Sequence, residues 1–122
     1  MASTDERTYK ERKTLGQRRR LFEEISRNNP GKIPVIIERL NGERPLPNID
    51  RAQFLVAEST TIAELCSVIR RRLQLTANQS IILYVNDKVM PGVMTPMWKL
   101  HQAEKGEDGF LYINYCGQAT FG

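Results

Sequence analysis

The chain reads as an α+β protein: a four-stranded mixed sheet laid across one main helix, with two extra N-terminal helices. Three features predict this. Runs rich in β-branched and aromatic residues at 33–37, 54–56, 81–85 and 110–116 have strand length and composition. Apolar residues at 62, 65, 66, 69 and 73 form one helical stripe. A chain of 122 residues that is 40% apolar fills one modest core.

Each element has its own signal. Thr4 with Asp5 and Glu6 predicts a short first helix, opened by an acidic turn. Leu21, Phe22 and Ile25, spaced i, i+1, i+4, predict a second helix with a charged outer surface; Thr14 is placed to cap it. Asn28-Asn29-Pro30-Gly31 ends it. In the strand 32–39, Ile33, Val35 and Ile37 share one face, and Pro34 and Ile36 the other. Both faces are apolar, so both need cover, one from the main helix and one from the N-terminal helices. A loop beginning at Asn41-Gly42 and holding Pro45 and Pro47 leads to a short second strand, 54–56.

Thr61 and Glu64 form a capping box that opens the main helix, which runs through Leu73 and buries Ile62, Leu65, Cys66, Ile69 and Leu73. Arg70, Arg71 and Arg72 suit the negative end of its dipole. Residues 81–85 are the third strand, turned by Asn86-Asp87, and Pro91-Gly92 marks a loop. Thr95 as cap and Pro96 as first helical residue predict a short helix from Met97 to about Glu104. Glu107-Asp108-Gly109 turns into the last strand, 110–116, with Leu111, Ile113 and Tyr115 inward. The order strand, strand, helix, strand, short helix, strand is that of a ubiquitin-like β-grasp. The expected divisions are a helical extension (1–29), the ubiquitin-like domain (30–116) and a flexible tail (117–122).

Counting excludes several functions. The longest apolar runs are near five residues, against roughly 20 for a spanning helix. No apolar segment follows Met1-Ala2-Ser3-Thr4-Asp5, so no secretory signal is read. Cys66 and Cys116 are too few for a disulfide scaffold or a four-cysteine zinc site, and are read as free thiols. With His101 the one histidine, a catalytic triad is excluded in practice. Glu23-Glu24 and Glu107-Asp108 are neighbours in sequence and read as solvated surface. Cys66 on the buried stripe should be inert, His101 should be exposed, and Trp98 should pack. No enzyme, cofactor or metal site is expected.

The net charge is +4, and the excess is at the front: residues 1–27 carry eight basic and five acidic side chains. Arg12, Lys13, Arg18, Arg19, Arg20, Arg51 and the three arginines at 70–72 make a basic surface suited to acidic partners. No aromatics interleave with them, which argues against sequence-specific nucleic-acid binding.

The segments Tyr9-Lys10-Glu11-Arg12, Lys32-Ile33-Pro34-Val35-Ile36-Ile37-Glu38-Arg39, Phe54-Leu55-Val56, Ile69-Arg70-Arg71-Arg72-Leu73-Gln74-Leu75, Tyr84-Val85-Asn86, Glu107-Asp108-Gly109-Phe110-Leu111-Tyr112 and Thr120-Phe121-Gly122 occur in that order. Together they resemble the autophagy-related ubiquitin-like modifiers, the family of the microtubule-associated light chains and the GABA-receptor-associated proteins, and the light-chain branch in particular. The resemblance implies a non-enzymatic modifier conjugated through Gly122 to phosphatidylethanolamine. A processing cysteine protease and an activating enzyme would recognise Phe121 and Gly122, and a conjugating enzyme would complete the transfer. It implies a protein of the cytoplasm, and of the autophagosome membrane when lipidated.

It further implies docking of cargo receptors and adaptors that carry short aromatic-x-x-aliphatic motifs. The aromatic pocket would be Leu21, Ile25, Lys32, Pro34, Ile36, Leu55 and Phe110. The aliphatic pocket would be Phe54, Val56, Leu65, Val68, Ile69 and Arg72. Arg12, Lys13 and Arg51 would meet acids flanking the motif. Leu21, Gln53 and Ala57 depart from the family's usual acid, lysine and proline, which bears on ligand preference. The alternative reading is an unlipidated β-grasp adaptor that binds microtubules or RNA through its basic face.

Overall fold

The computed structural model of the chain describes residues 7–40, 46–90 and 92–117. In chain order the elements are α1 (Tyr9–Arg12), α2 (Leu15–Asn28), β1 (Lys32–Arg39), β2 (Gln53–Ala57), α3 (Ile62–Leu73), β3 (Ile81–Val85), β4 (Lys88–Val89), α4 (Met97–Glu104) and β5 (Leu111–Gly117). The sheet runs β2-β1-β5-β3-β4. β1 and β5 are parallel at its centre, and the other neighbours are antiparallel.

The sheet has five strands among the described residues, not the expected four. Asn86 and Asp87 both take left-handed backbone (φ 51° and 62°), the conformation of a two-residue hairpin turn. The chain therefore folds back at once, and Lys88 and Val89 pair with Val85 and Tyr84. Two residues are too few to show a period of two.

Capping chemistry sets the helix starts. Thr8 opens α1, with its Oγ1 accepting from the Glu11 N–H and Glu11 Oε1 accepting from the Thr8 N–H. Thr14 and Gln17 repeat that exchange at α2, and Thr61 and Glu64 at α3. The start expected around Thr4, Asp5 and Glu6 lies outside the described residues, as do Asn41-Gly42 and Pro91. At α4 the expectation is corrected: Pro96, not Thr95, is the capping residue, and no side chain caps the end. Pro96 keeps extended backbone and pairs with Thr61 in an isolated bridge, and the helix covers Met97–Glu104, the range expected.

β1 is buried on both faces, as its apolar pattern requires. Ile33, Val35 and Ile37 join the main core with Leu65 and Ile69 of α3. Ile36 faces the other way, into Tyr9 and Phe110, where Leu21, Phe22 and Ile25 of α2 cover it. Cys66 is half-buried, and burial pushes its thiol up.

An ion pair fixes this second layer, and it corrects two expectations. Arg18, assigned to the basic surface, and Asp108, assigned to a solvated turn, are both buried and meet at 2.8 Å. Arg18 also donates to the Lys10 and Lys13 carbonyls, which ties α1 to α2. Asp108 also accepts from the Phe110 N–H and the Tyr112 hydroxyl. Nε and Nη1 of Arg18 and both Asp108 oxygens are engaged, which is what burying charge requires, whereas the buried Tyr9 hydroxyl in the same layer has no partner.

His101 is likewise not exposed. It is half-buried, stacks on Phe22 with centroids 5.8 Å apart, and its Nε2 lies 2.7 Å from the Gly109 carbonyl, which accepts. Trp98 departs in the other direction: it is 47% exposed, because Met97 and Leu100 carry the packing of α4.

Candidate functional site

β2 is an edge strand. One side pairs with β1, Lys32 opposite Ala57 through Ile36 opposite Gln53. Its other side has no partner strand among the described residues. An edge of this kind offers backbone N–H and C=O groups to an added strand. Side chains alternate along it. Phe54 and Val56 turn toward the main core and α3. Leu55 turns the other way and is 40% exposed.

A cleft of ≈ 240 Å³ opens between β2 and α3. Five of the six residues predicted for the aliphatic pocket line it: Phe54, Val56, Leu65, Val68 and Arg72. The sixth, Ile69, is fully buried beneath and is absent from the lining. Leu55, assigned to the aromatic pocket, also borders this cleft. Arg51, Ala57 and Thr60 complete it.

The residues predicted for the aromatic pocket divide by depth. Pro34, Ile36 and Phe110 are sealed in the interior. Leu21 and Ile25 of α2 are half-buried above Ile36 and Phe110, and Lys32 is exposed. The surface this set can present therefore comes from Leu21, Ile25, Lys32 and Leu55. The inner three are its floor.

The three bases predicted to meet ligand acids fall in two places. Arg51 lies over the Phe54 ring at 5.3 Å, beside the cleft. Arg12 and Lys13 lie over Tyr9, at 5.7 and 5.8 Å, on the helical side of the sheet. Arg72 also covers Phe54, at 5.7 Å, and forks onto Asp50 through two contacts of 2.9 Å. That fork holds the Asp50 carboxyl below its ordinary range. Sequence reasoning missed Asp50 and Thr60, and tied Ala57 to ligand preference without placing it in the cleft. Asp50 stands alone at the end of a proline-bearing loop, and its partner is 22 residues away. No periodic signal links them.

Phe121 and Gly122 lie outside the described residues. β5 brings the chain to Gly117, paired with Ile81. No helix among the described residues is long and apolar enough to cross a membrane. No cluster of three or more metal-ligating side chains occurs among them.

Residues 17–122 match the family described as autophagy protein Atg8, ubiquitin-like. This chain belongs to the Atg8 family. It is 46% identical over 115 residues to protein lgg-2 of Caenorhabditis elegans, covering 94% of this chain and 88% of the relative. It is 38% identical over 116 residues to the human microtubule-associated protein 1 light chain 3 gamma, covering 95% and 79%. The solved structure of Trypanosoma brucei ATG8 superposes with a TM-score of 0.86 at 34% identity, covering 97% of this chain and all of that one. The Atg8 relation accounts for the β-grasp core and places the chain among ubiquitin-like autophagy proteins. The similarity to lgg-2 extends beyond the Atg8 match over most of the chain.

Proposed function

We propose that this Atg8-family chain is a ubiquitin-like modifier, not an enzyme. In this reading it is conjugated through Gly122 to phosphatidylethanolamine and recruits cargo receptors by docking extended aromatic-x-x-aliphatic peptides on β2. It works from the cytoplasm onto the autophagosome membrane. The observation that carries the docking half is the unpaired β2 edge beside an apolar cleft. Phe54 and Val56 serve one side of the strand and Leu55 the other, so one edge offers two binding surfaces. The conjugation half rests on Atg8 membership and on the segment Thr120-Phe121-Gly122. Burial of Arg18 removes one charge from the basic face, which counts against the microtubule or RNA alternative.

The chemistry needs an unhindered carboxylate. An activating enzyme forms the acyl adenylate with release of pyrophosphate, then the thioester with release of AMP. The conjugating enzyme's thiol takes over the thioester and frees the activating enzyme's thiol, and the lipid amine then displaces the conjugating enzyme's thiol to give an amide. Glycine offers no Cβ to obstruct any of these attacks. In a reconstituted mixture with the Atg8 enzymes, ATP and phosphatidylethanolamine vesicles, the wild type should acquire a gel-mobility shift. Gly122→Ala should lose nearly all of it with an unchanged circular dichroism spectrum. A lipid conjugate formed at wild-type rate by that variant would overturn the modifier reading.

Docking is tested separately. Leu55→Ala should weaken two motif peptides that differ only in flanking acids, by about 1–2 kcal/mol each, since Leu55 is partly exposed before binding. Gln53→Lys should strengthen only the acidic one, by about 0.2–1 kcal/mol, and less at high salt. No loss on Leu55→Ala, or equal gains on Gln53→Lys, would remove these residues from the site.

A further inference from the structure

The cleft beside β2 adjoins a second segment with exposed apolar side chains. Ala57 and Thr60 line the cleft, and the segment 93–98 is stitched to that same stretch of chain. The Met97 N–H donates to the Thr60 carbonyl at 2.8 Å and the Trp98 N–H to the Glu58 carbonyl at 3.0 Å. The Ala63 N–H donates to the Val93 carbonyl at 2.8 Å. Val93, Met94 and Trp98 are 61%, 72% and 47% exposed. Single exposed apolar residues are ordinary, but three within six positions, on a segment hydrogen-bonded to the strip that closes one end of the cleft, form a patch that asks for a partner.

Charge is ordered along the same line. Arg51 and Arg72 border the cleft itself. Glu58 and Glu64, both exposed, stand on either side of Thr60 and Thr61, next to the patch, with Lys99 following Trp98. The surface thus passes from basic, through apolar, to apolar with an acidic border.

The geometry points to a third apolar subsite, formed by Met94 and Trp98 with Val93, that takes the part of a docked peptide following its aliphatic residue. This rests on the docking reading above. α2 covers one face of the sheet and α3 the other, with the β2 edge between them. The cleft therefore stands between the α2 side and the patch, and residues past the aliphatic one are those that arrive. Two or three extended residues, at about 3.3 Å each, cross the backbone that joins Thr60 to Met97. The chemistry selects a large apolar side chain against the Trp98 ring, followed by a lysine or arginine facing Glu58 and Glu64.

Trp98 is the chain's single tryptophan, so its emission reads this subsite directly. Two synthetic peptides would share one tryptophan-free Phe-x-x-Leu-x-x segment and differ after it, one with Leu-x-Lys and one with Ser-x-Ser. The Leu-x-Lys peptide should shift Trp98 emission to the blue and bind about three- to tenfold more tightly. In calorimetry, Trp98→Ser should collapse the difference between the two peptides. Equal affinities with unshifted emission overturn the subsite alone. Failure of both peptides to bind overturns the docking reading and the subsite with it. An emission shift produced by phosphatidylcholine vesicles and by neither peptide assigns the patch to a membrane surface and also overturns the proposal.

Discussion

Asp108→Ala is expected to cost about 3–5 kcal/mol of folding stability, because it leaves the Arg18 guanidinium buried without its counter-charge. The same change orphans the Phe110 N–H and the Tyr112 hydroxyl, both of which donate to Asp108. Arg18→Ala should cost a similar amount, since it strands the carboxylate and releases the Lys10 and Lys13 carbonyls. The double variant should cost less than the two singles together, because most of each single penalty is the unpaired partner. Urea denaturation of the four proteins measures this. Additive losses would mean that the pair is not an interacting unit. Loss of the pair should also undock α1 and α2 from Phe110, so Leu21 and Ile25 would no longer hold their positions above the sheet.

Gly109→Ala is the second large effect, expected at about 2–6 kcal/mol. Two penalties combine there. Gly109 has φ +98°, a region costly for any residue with a Cβ, at about 1–3 kcal/mol. An added Cβ would also sit 2.5 Å from Cδ2 of Phe22. Phe22 cannot easily yield, being edge-on to Phe110 and stacked on His101. Overpacking of that kind costs about 1–3 kcal/mol. In a Phe22→Ala background the collision disappears and only the backbone strain persists. Gly109→Ala should therefore be milder there by about the overpacking share. An identical penalty in both backgrounds would show that the ring plays no part. Asp108 and Gly109 share one turn, so their effects should not add.

These two positions mark where sequence reading stopped. Strands and helices were legible because burial imposes a period, and β1 announced its two buried faces through five consecutive apolar positions. The capping box at Thr61 was legible because its partner lies three residues away, and Thr14 was legible as a cap, though its partner Gln17 was not. Arg18 and Asp108 are 90 residues apart, and each sits among other charges that really are solvated. Nothing local separates a buried arginine from its neighbours Arg19 and Arg20. For the same reason His101 read as surface: its contacts come from Phe22 and Gly109, supplied by other elements. The cleft was legible in part. Alternation along β2 and the stripe on α3 name Phe54, Val56 and Leu65, whereas Asp50 and Thr60 come from loops without a pattern. Trp98 misled in the ordinary way, since a large aromatic on a short helix is expected to pack.

The parallel pairing of β1 with β5 has a consequence in time. Glu38 and Asn114 stand side by side at the middle of the sheet, yet 76 residues separate them. Local hairpins and capped helices form in microseconds, but the central ladder must wait for this long closure. Until β5 arrives, β1 lacks its inner neighbour and Ile36 lacks Phe110, so neither layer of the core can seal. On a ribosome, which delivers the N-terminus first, the strands and helices that precede β5 would remain unlocked until it is made. Folding would complete only after β5 emerges, at the end nearest the glycine on which the proposed chemistry depends.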